Sequence, residues 1–173
     1  SQKSAVEKTY CYIFYLHSIS SPFLRNYTWH VTYPLNIEKM QEATLALIGK
    51  HDFRAFANES YQGTCARNPY RTISRAHFVA DDPFLYFEIT ADGFFYKMVR
   101  NIVGTLMDIG RGKLHIHDMQ RILESCDRNE ASPAAPAEGL YLHNLNYPKQ
   151  APIFAKGLFP HLERFHKNRT EDL

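Results

Sequence analysis

The sequence predicts an α+β fold, a mostly antiparallel sheet with helices packed on one face. Two observations predict it. Runs dense in β-branched and aromatic residues lie near the start and in the middle, which is how strands read. From Phe95 the apolar spacing changes to a helical one, with Phe95, Met98, Val99, Ile102, Val103, Leu106 and Ile109 recurring at threes and fours.

Taken in order, residues 9–17 form the first strand. Both of its alternating sets are mostly apolar, so it is covered on both faces: Tyr10, Tyr12, Phe14 and Leu16 point one way, Cys11, Ile13, Tyr15 and His17 the other. Ser20, Ser21 and Pro22 break the pattern, and residues 27–33 form a second extended piece ending at Pro34. Asn36 is suited to cap a helix carrying Met40, Ala43, Leu47 and Ile48, which Gly49 ends. His51-Asp52-Phe53 opens a polar, irregular stretch to Pro69 that reads as a loop. Residues 70–79 and 84–90 are two strands paired as an antiparallel hairpin through Asp81-Asp82-Pro83. The helix from Phe95 stops at Gly110 and Gly112, a short helix covers residues 116–125, residues 131–137 bridge, and residues 139–147 close as a strand. The expected division is a domain over residues 1–148 and an extended, proline-bearing tail over 149–173. The face of the sheet away from the helices is expected to be open, a usual place for RNA beside basic loops.

Composition narrows the function. With 173 residues, 45% hydrophobic and 22% charged, the chain can bury a core without disulfides or a structural metal. No stretch approaches the roughly 20 apolar residues of a membrane span, and no signal peptide is seen at the start, so no membrane partner and a cytoplasmic location are expected. Cys11, Cys65 and Cys126 are scattered and odd in number, which fits packing rather than a disulfide framework or zinc. Net charge is only +2, but Lys50, Arg54, Arg67, Arg71 and Arg75 face just Asp52 and Glu59 in their stretch, whereas residues 76–96 hold acids and no Lys or Arg. Such a local patch suits a polyanion met on one face. Phosphate-loop, dinucleotide, nucleophile-elbow and zinc-protease motifs are all missing, and His115-Ile116-His117-Asp118 reads as a polar helix start rather than a metal fragment. No metal and no cofactor are expected.

Arg100 and Asn101 sit inside the otherwise apolar run Met98-Val99-Arg100-Asn101-Ile102-Val103-Gly104. An arginine there either snorkels to solvent or presents its fork to a carboxylate or phosphate. Together with Lys8-Thr9-Tyr10-Cys11-Tyr12, His51-Asp52-Phe53 with Phe56, Arg71-Thr72-Ile73, Asp127-Arg128 and Glu138-Gly139-Leu140-Tyr141-Leu142, this run resembles, in kind, order and spacing, the tRNA pseudouridine synthase A family.

The resemblance implies isomerisation of uridine to pseudouridine in the anticodon stem-loop of tRNA, without metal or organic cofactor, by a homodimer. It covers the family's second half. The family's catalytic aspartate lies in an earlier Arg-Thr-Asp-x-Gly-Val-His run that these residues do not contain, so the chain is expected to be the C-terminal half and inactive alone. Arg169-Thr170-Glu171-Asp172 resembles that run only faintly. By the resemblance Tyr10 lies against the target base, Arg100 pairs with the aspartate and Leu140 shapes the pocket, whereas Tyr12, two residues along the same strand face, serves structure. His51, Arg67, Arg71 and Lys97 are the candidate RNA contacts, and Asp52 is structural. The alternative is a noncatalytic RNA-binding or dimerisation module that retains the scaffold.

Overall fold

The computed structural model describes residues 7–58 and 67–146. The expected tail over 149–173, the Arg169 run and Cys65 lie outside the described residues.

The architecture is α+β, as the periodicities require. Strand β1 (Glu7–Leu16) is the axis of a six-stranded sheet. On one side it pairs antiparallel with β5 (Phe84–Ala91) from Lys8 to Tyr15. Its other side is shared: β6 (Leu140–Asn146) runs antiparallel beside its first half, and β2 (Trp29–Val31) runs parallel beside Phe14 to Leu16. Beyond β5 come β4 (Tyr70–Asp81) and then β3 (Gly49–Asp52), both antiparallel to their neighbours. The hairpin joining β4 and β5 turns at Asp82-Pro83, and a register shift between Ile73 and Arg75 marks a bulge in β4.

Helix α1 (Ile37–Thr44) starts where the sequence places it, because the Asn36 side chain accepts a hydrogen bond from the Lys39 amide at 2.9 Å. It ends sooner than expected, passing into a 3-10 turn at Leu45–Leu47. Gly49 then opens β3, so His51 and Asp52 stand in an edge strand rather than a loop. Helix α2 (Met98–Gly110) begins three residues after Phe95 because Lys97 takes a left-handed backbone, φ 59°, which a helix cannot contain. Helix α3 (Asp118–Ser125) opens on Asp118, whose carboxylate accepts from the His115 amide at 2.8 Å.

All three helices cover one face of the sheet. Tyr12, Phe14, Leu85, Phe87, Ile89 and Ile73 from the strands join Met40, Met98, Ile102, Leu106, Met119 and Ile122 from the helices in one buried core. The opposite face carries a small apolar cluster of Cys11, Ile13 and Tyr86, edged by Val79, Phe84 and Tyr141. Burial pushes the Cys11 thiol well above its ordinary pKa, as expected of a packing cysteine. No helix among the described residues is long and apolar enough to cross a membrane, and no cluster of three metal-ligating side chains occurs among them.

Candidate active site

Alternation along β1 settles which face carries the candidate residues. Tyr10 points the same way as Tyr12 and Phe14, toward the helices, and packs against the core with Leu140. His51 and Arg71 are opposite one another in β3 and β4, two positions from the core residue Ile73, and so share that side. The open face expected to meet RNA therefore does not hold these side chains. Tyr10 and Arg71 meet the aromatics of the connection from β5 to α2, Arg100 and Leu140 lie where the segment 131–139 meets α2 and β1, and His51 stands apart beside Ile48.

That segment lies along α2 and is tied to it by the very run that stood out in the sequence. Met98, Val99, Ile102 and Val103 enter the core. Arg100 donates from Nε to the Ala135 carbonyl at 2.7 Å and accepts at its own carbonyl from the Ala135 amide at 2.9 Å. Its two terminal nitrogens make no hydrogen bond or ion pair among the described residues. Asn101, fully buried, donates from Nδ2 to the Phe56 carbonyl at 2.7 Å and to Asn58 at 2.6 Å. Its Oδ1 accepts from Arg128 at 2.9 Å. Arg128 also donates to Asn58 at 3.1 Å and to the Ala131 carbonyl at 3.0 Å, and burial holds its guanidinium pKa below the ordinary value. Thr105 accepts from the Ser132 amide at 3.3 Å. At Gly104 a Cβ would collide with the Pro133 carbonyl, so only glycine lets the segment approach the helix this closely.

The segment then passes the two tyrosines. Tyr12 has no exposed surface; its hydroxyl donates to the Pro136 carbonyl at 2.7 Å, one peptide after the carbonyl that Arg100 holds. A Cβ on Gly139 would lie 2.7 Å from the Tyr12 ring, so the chain turns into β6 directly over it. Burial raises the Tyr12 pKa, nearby Arg100 opposes that rise and Glu138 adds to it; the net shift is upward and the hydroxyl stays protonated. Leu140 stands opposite Tyr12 in the β1–β6 ladder, and Leu142, half exposed, stands opposite Tyr10. Tyr10 is only partly buried and packs edge-on against Phe94, with ring centroids 5.1 Å apart.

The connection from β5 to α2 gathers three of the candidates on consecutive aromatics. Phe94 meets Tyr10, Phe95 lies 3.9 Å beneath the Arg71 guanidinium, and the exposed Tyr96 has the Lys97 ammonium 5.3 Å from its ring centre. Arg71 also donates to the Asn68 and Tyr70 carbonyls at 3.1 and 2.6 Å. Two of the expected RNA contacts are less closely placed. His51 bonds the Ile48 carbonyl through Nε2 at 2.9 Å, and Arg67 is exposed in the segment entering β4. Asp52 pairs with Arg54 at 2.7 Å. Sequence reasoning did not find the partner that fixes Arg100, namely the Ala135 backbone of a distant loop, which leaves no side-chain signature; an asparagine inside an apolar helix was the visible sign of the neighbouring network.

The comparisons with known proteins show the family. A family model described as tRNA pseudouridine synthase matches residues 43–148, and the chain belongs to that family. Three of its relatives are tRNA pseudouridine synthases A. It is 43% identical over 147 residues to tRNA pseudouridine synthase A 1 of Protochlamydia amoebophila, covering 85% of this chain and 57% of the relative. It is 40% identical over 144 residues to tRNA pseudouridine synthase A of Methylacidiphilum infernorum, covering 83% and 56%. Against the enzyme of that name from Thermoanaerobacter sp. it is 43% identical over 144 residues, covering 83% and 58%. The chain thus spans somewhat more than half the length of the curated relatives it matches.

Proposed function

We propose that the chain is the C-terminal half of a tRNA pseudouridine synthase acting on the anticodon stem-loop, with the catalytic aspartate supplied by sequence outside these residues. The observation that carries this reading is Arg100: its Nε is spent on a backbone carbonyl, and the two terminal nitrogens remain to grip an anion in a fixed direction. A carboxylate held there stays ionised and oriented. In the isomerisation the uracil N1–C1′ bond breaks and a C5–C1′ bond forms, while C5 loses a proton and N1 ends with one, so no oxidant or cofactor enters. The flipped base lies against Tyr10, whose partly exposed ring is within reach, while Leu140 sets the shape of the floor. Arg71 and Lys97, with His51 and Arg67 further out, attract the phosphates. Assembly as a homodimer belongs to the same reading.

Tritium release from tRNA carrying uridine labelled at C5 tests it. The protein as its gene encodes it releases label, these 173 residues alone do not, and Arg100→Ala in the gene-encoded protein abolishes release. Release by the 173 residues alone, or none by any form while tRNA is still bound, overturns the reading, the second outcome pointing to a scaffold kept for binding.

A further inference from the structure

We infer that Tyr12 is a positioning residue for Arg100, acting through the Ala135-Pro136 peptide. The inference rests on the role just proposed for Arg100, but its geometry stands on its own. Two consecutive carbonyls are held from two different elements: Ala135 by the Arg100 Nε on α2 and Pro136 by the Tyr12 hydroxyl on β1, both at 2.7 Å. Tyr12 is fully buried, so it cannot touch an RNA base. Its ring is wedged between Phe14, Trp29 and the backbone at Gly139, with centroids 4.9 and 6.2 Å from the two aromatic neighbours, which leaves the hydroxyl no other direction.

The physical consequence follows from the order of the bonds. Pro136 has no N–H, so the peptide between the two carbonyls gains no donor bond of its own. Without the Tyr12 hydroxyl the Pro136 carbonyl is left unpaired in a partly buried place, and that stretch of chain turns to find another donor. The Ala135 carbonyl moves with it and Arg100 loses the anchor of its Nε. The guanidinium keeps its charge and its helix, but its fork no longer points one way. Misplacement on the ångström scale at a reacting centre costs about 10- to 100-fold in rate while leaving substrate binding nearly intact. Tyr12 therefore acts on turnover without being a catalytic residue, and its neighbour Tyr10, two positions away on the same face, is separated from it by burial rather than by direction.

The test uses the gene-encoded protein and Tyr12→Phe, which removes one oxygen and keeps the ring. The expected result has three parts. The kcat for pseudouridine formation falls about 10-fold or more with KM for tRNA within about twofold. The Arg100 Nε–H resonance, protected from solvent exchange in the unsubstituted protein, loses at least about tenfold of that protection. Finally, Tyr12→Phe combined with Arg100→Lys is no slower than Arg100→Lys alone, as coupled positions require. Gly139→Ala, whose new methyl would press on the Tyr12 ring, is a second route to the same loss of protection, and Tyr15→Phe on the opposite sheet face leaves it unchanged. Unchanged protection of the Arg100 Nε–H in Tyr12→Phe and Gly139→Ala overturns the inference, whatever the turnover. Absence of pseudouridine from the unsubstituted protein would instead remove the proposed function, and the exchange measurement would still decide the role of Tyr12.

Discussion

Arg100 and Arg71 lie on the same side of the sheet near the same corner, yet they are held in different ways. Arg100 is bonded across 35 positions of sequence to a loop that also receives Tyr12, and its neighbour Asn101 joins Phe56, Asn58 and Arg128. Among the described residues the Arg71 side chain bonds only carbonyls one and three residues away, and it rests on the ring of Phe95. The first set of bonds closes the tertiary structure, so each of its members constrains elements that the chain brings together only on folding. The second set preorganises a single side chain and leaves the architecture indifferent to it. One charge type is therefore held in two ways in one corner: in a seam that closes the fold, and at a rim where local contacts order a single side chain.

The sharpest way to break the comparison is at Gly104, which belongs to the seam. In an exposed helix interior, glycine to alanine stabilises by about 1 kcal/mol through helix propensity. Here the new methyl meets a backbone carbonyl, that of Pro133, which cannot swing aside as a side chain could. Gly104→Ala is expected to destabilise by at least about 2 kcal/mol in urea or thermal unfolding, the sign itself being the test. A stabilised variant would mean that the segment 131–139 does not lie against the helix.

Next in size is Asn101→Ala, which leaves the Phe56 carbonyl and one donor of Arg128 unpaired in the interior. A loss of about 1 to 3 kcal/mol is expected. Arg71→Ala, measured beside it, forfeits a ring contact worth about 0.5 to 1 kcal/mol. Equal losses at the two positions would erase the distinction between seam and rim.

These positions also show how much the sequence discloses. β1, the β4–β5 hairpin and α2 are legible because long runs repeat a period, and Asn36 is legible as a cap because its chemistry is local. β3 is not, since four residues, Gly49 to Asp52, offer too little alternation to see. Phe95 continues the helical spacing and yet lies outside the helix, because the left-handed turn at Lys97 stands between it and Met98, and a periodicity rule reads side chains, not backbone angles. At the site, the arginine and the two tyrosines are visible in the motifs, and the alternation that puts Tyr10 and Tyr12 on one face is read correctly. Alternation alone does not say which of the two faces the helices cover. What distinguishes the two tyrosines is depth, and depth depends on a loop more than a hundred residues away in the chain, at Pro136.

The rim is sharpened by salt. If Arg71 and Lys97 each meet one phosphate, replacing either by alanine lowers the slope of log affinity for tRNA against log salt concentration by about 0.7 to 0.9, with unfolding midpoints nearly unchanged. If Arg100 holds the carboxylate proposed above, Arg100→Ala abolishes turnover while leaving that slope where it was. A filter-binding titration over a range of salt concentrations separates the two classes, and an equal fall in slope for Arg100→Ala would place that arginine on the RNA instead.

The smallest effect concerns Asp52, the neighbour of His51 in β3. Partial burial works against ionisation of Asp52, but its hydrogen bonds with Arg54, from both side chain and backbone, and the guanidinium's charge outweigh burial and hold the pKa below the ordinary 3.8. A carboxylate whose pKa is depressed on folding binds its proton more readily in the unfolded chain, so it contributes stability above the unfolded value and loses it as pH falls through the folded one. The Arg54 partner is largely exposed, and water screens much of the pair's attraction. The expected signature is therefore modest: from about pH 5 downward the protein loses stability slightly faster than Asp52→Asn does, and above about pH 6 the difference between the two is constant. Parallel curves across the acid range would show that the Asp52–Arg54 pair contributes nothing to folding, and that β3 is held at the rim by its ladder with β4 alone.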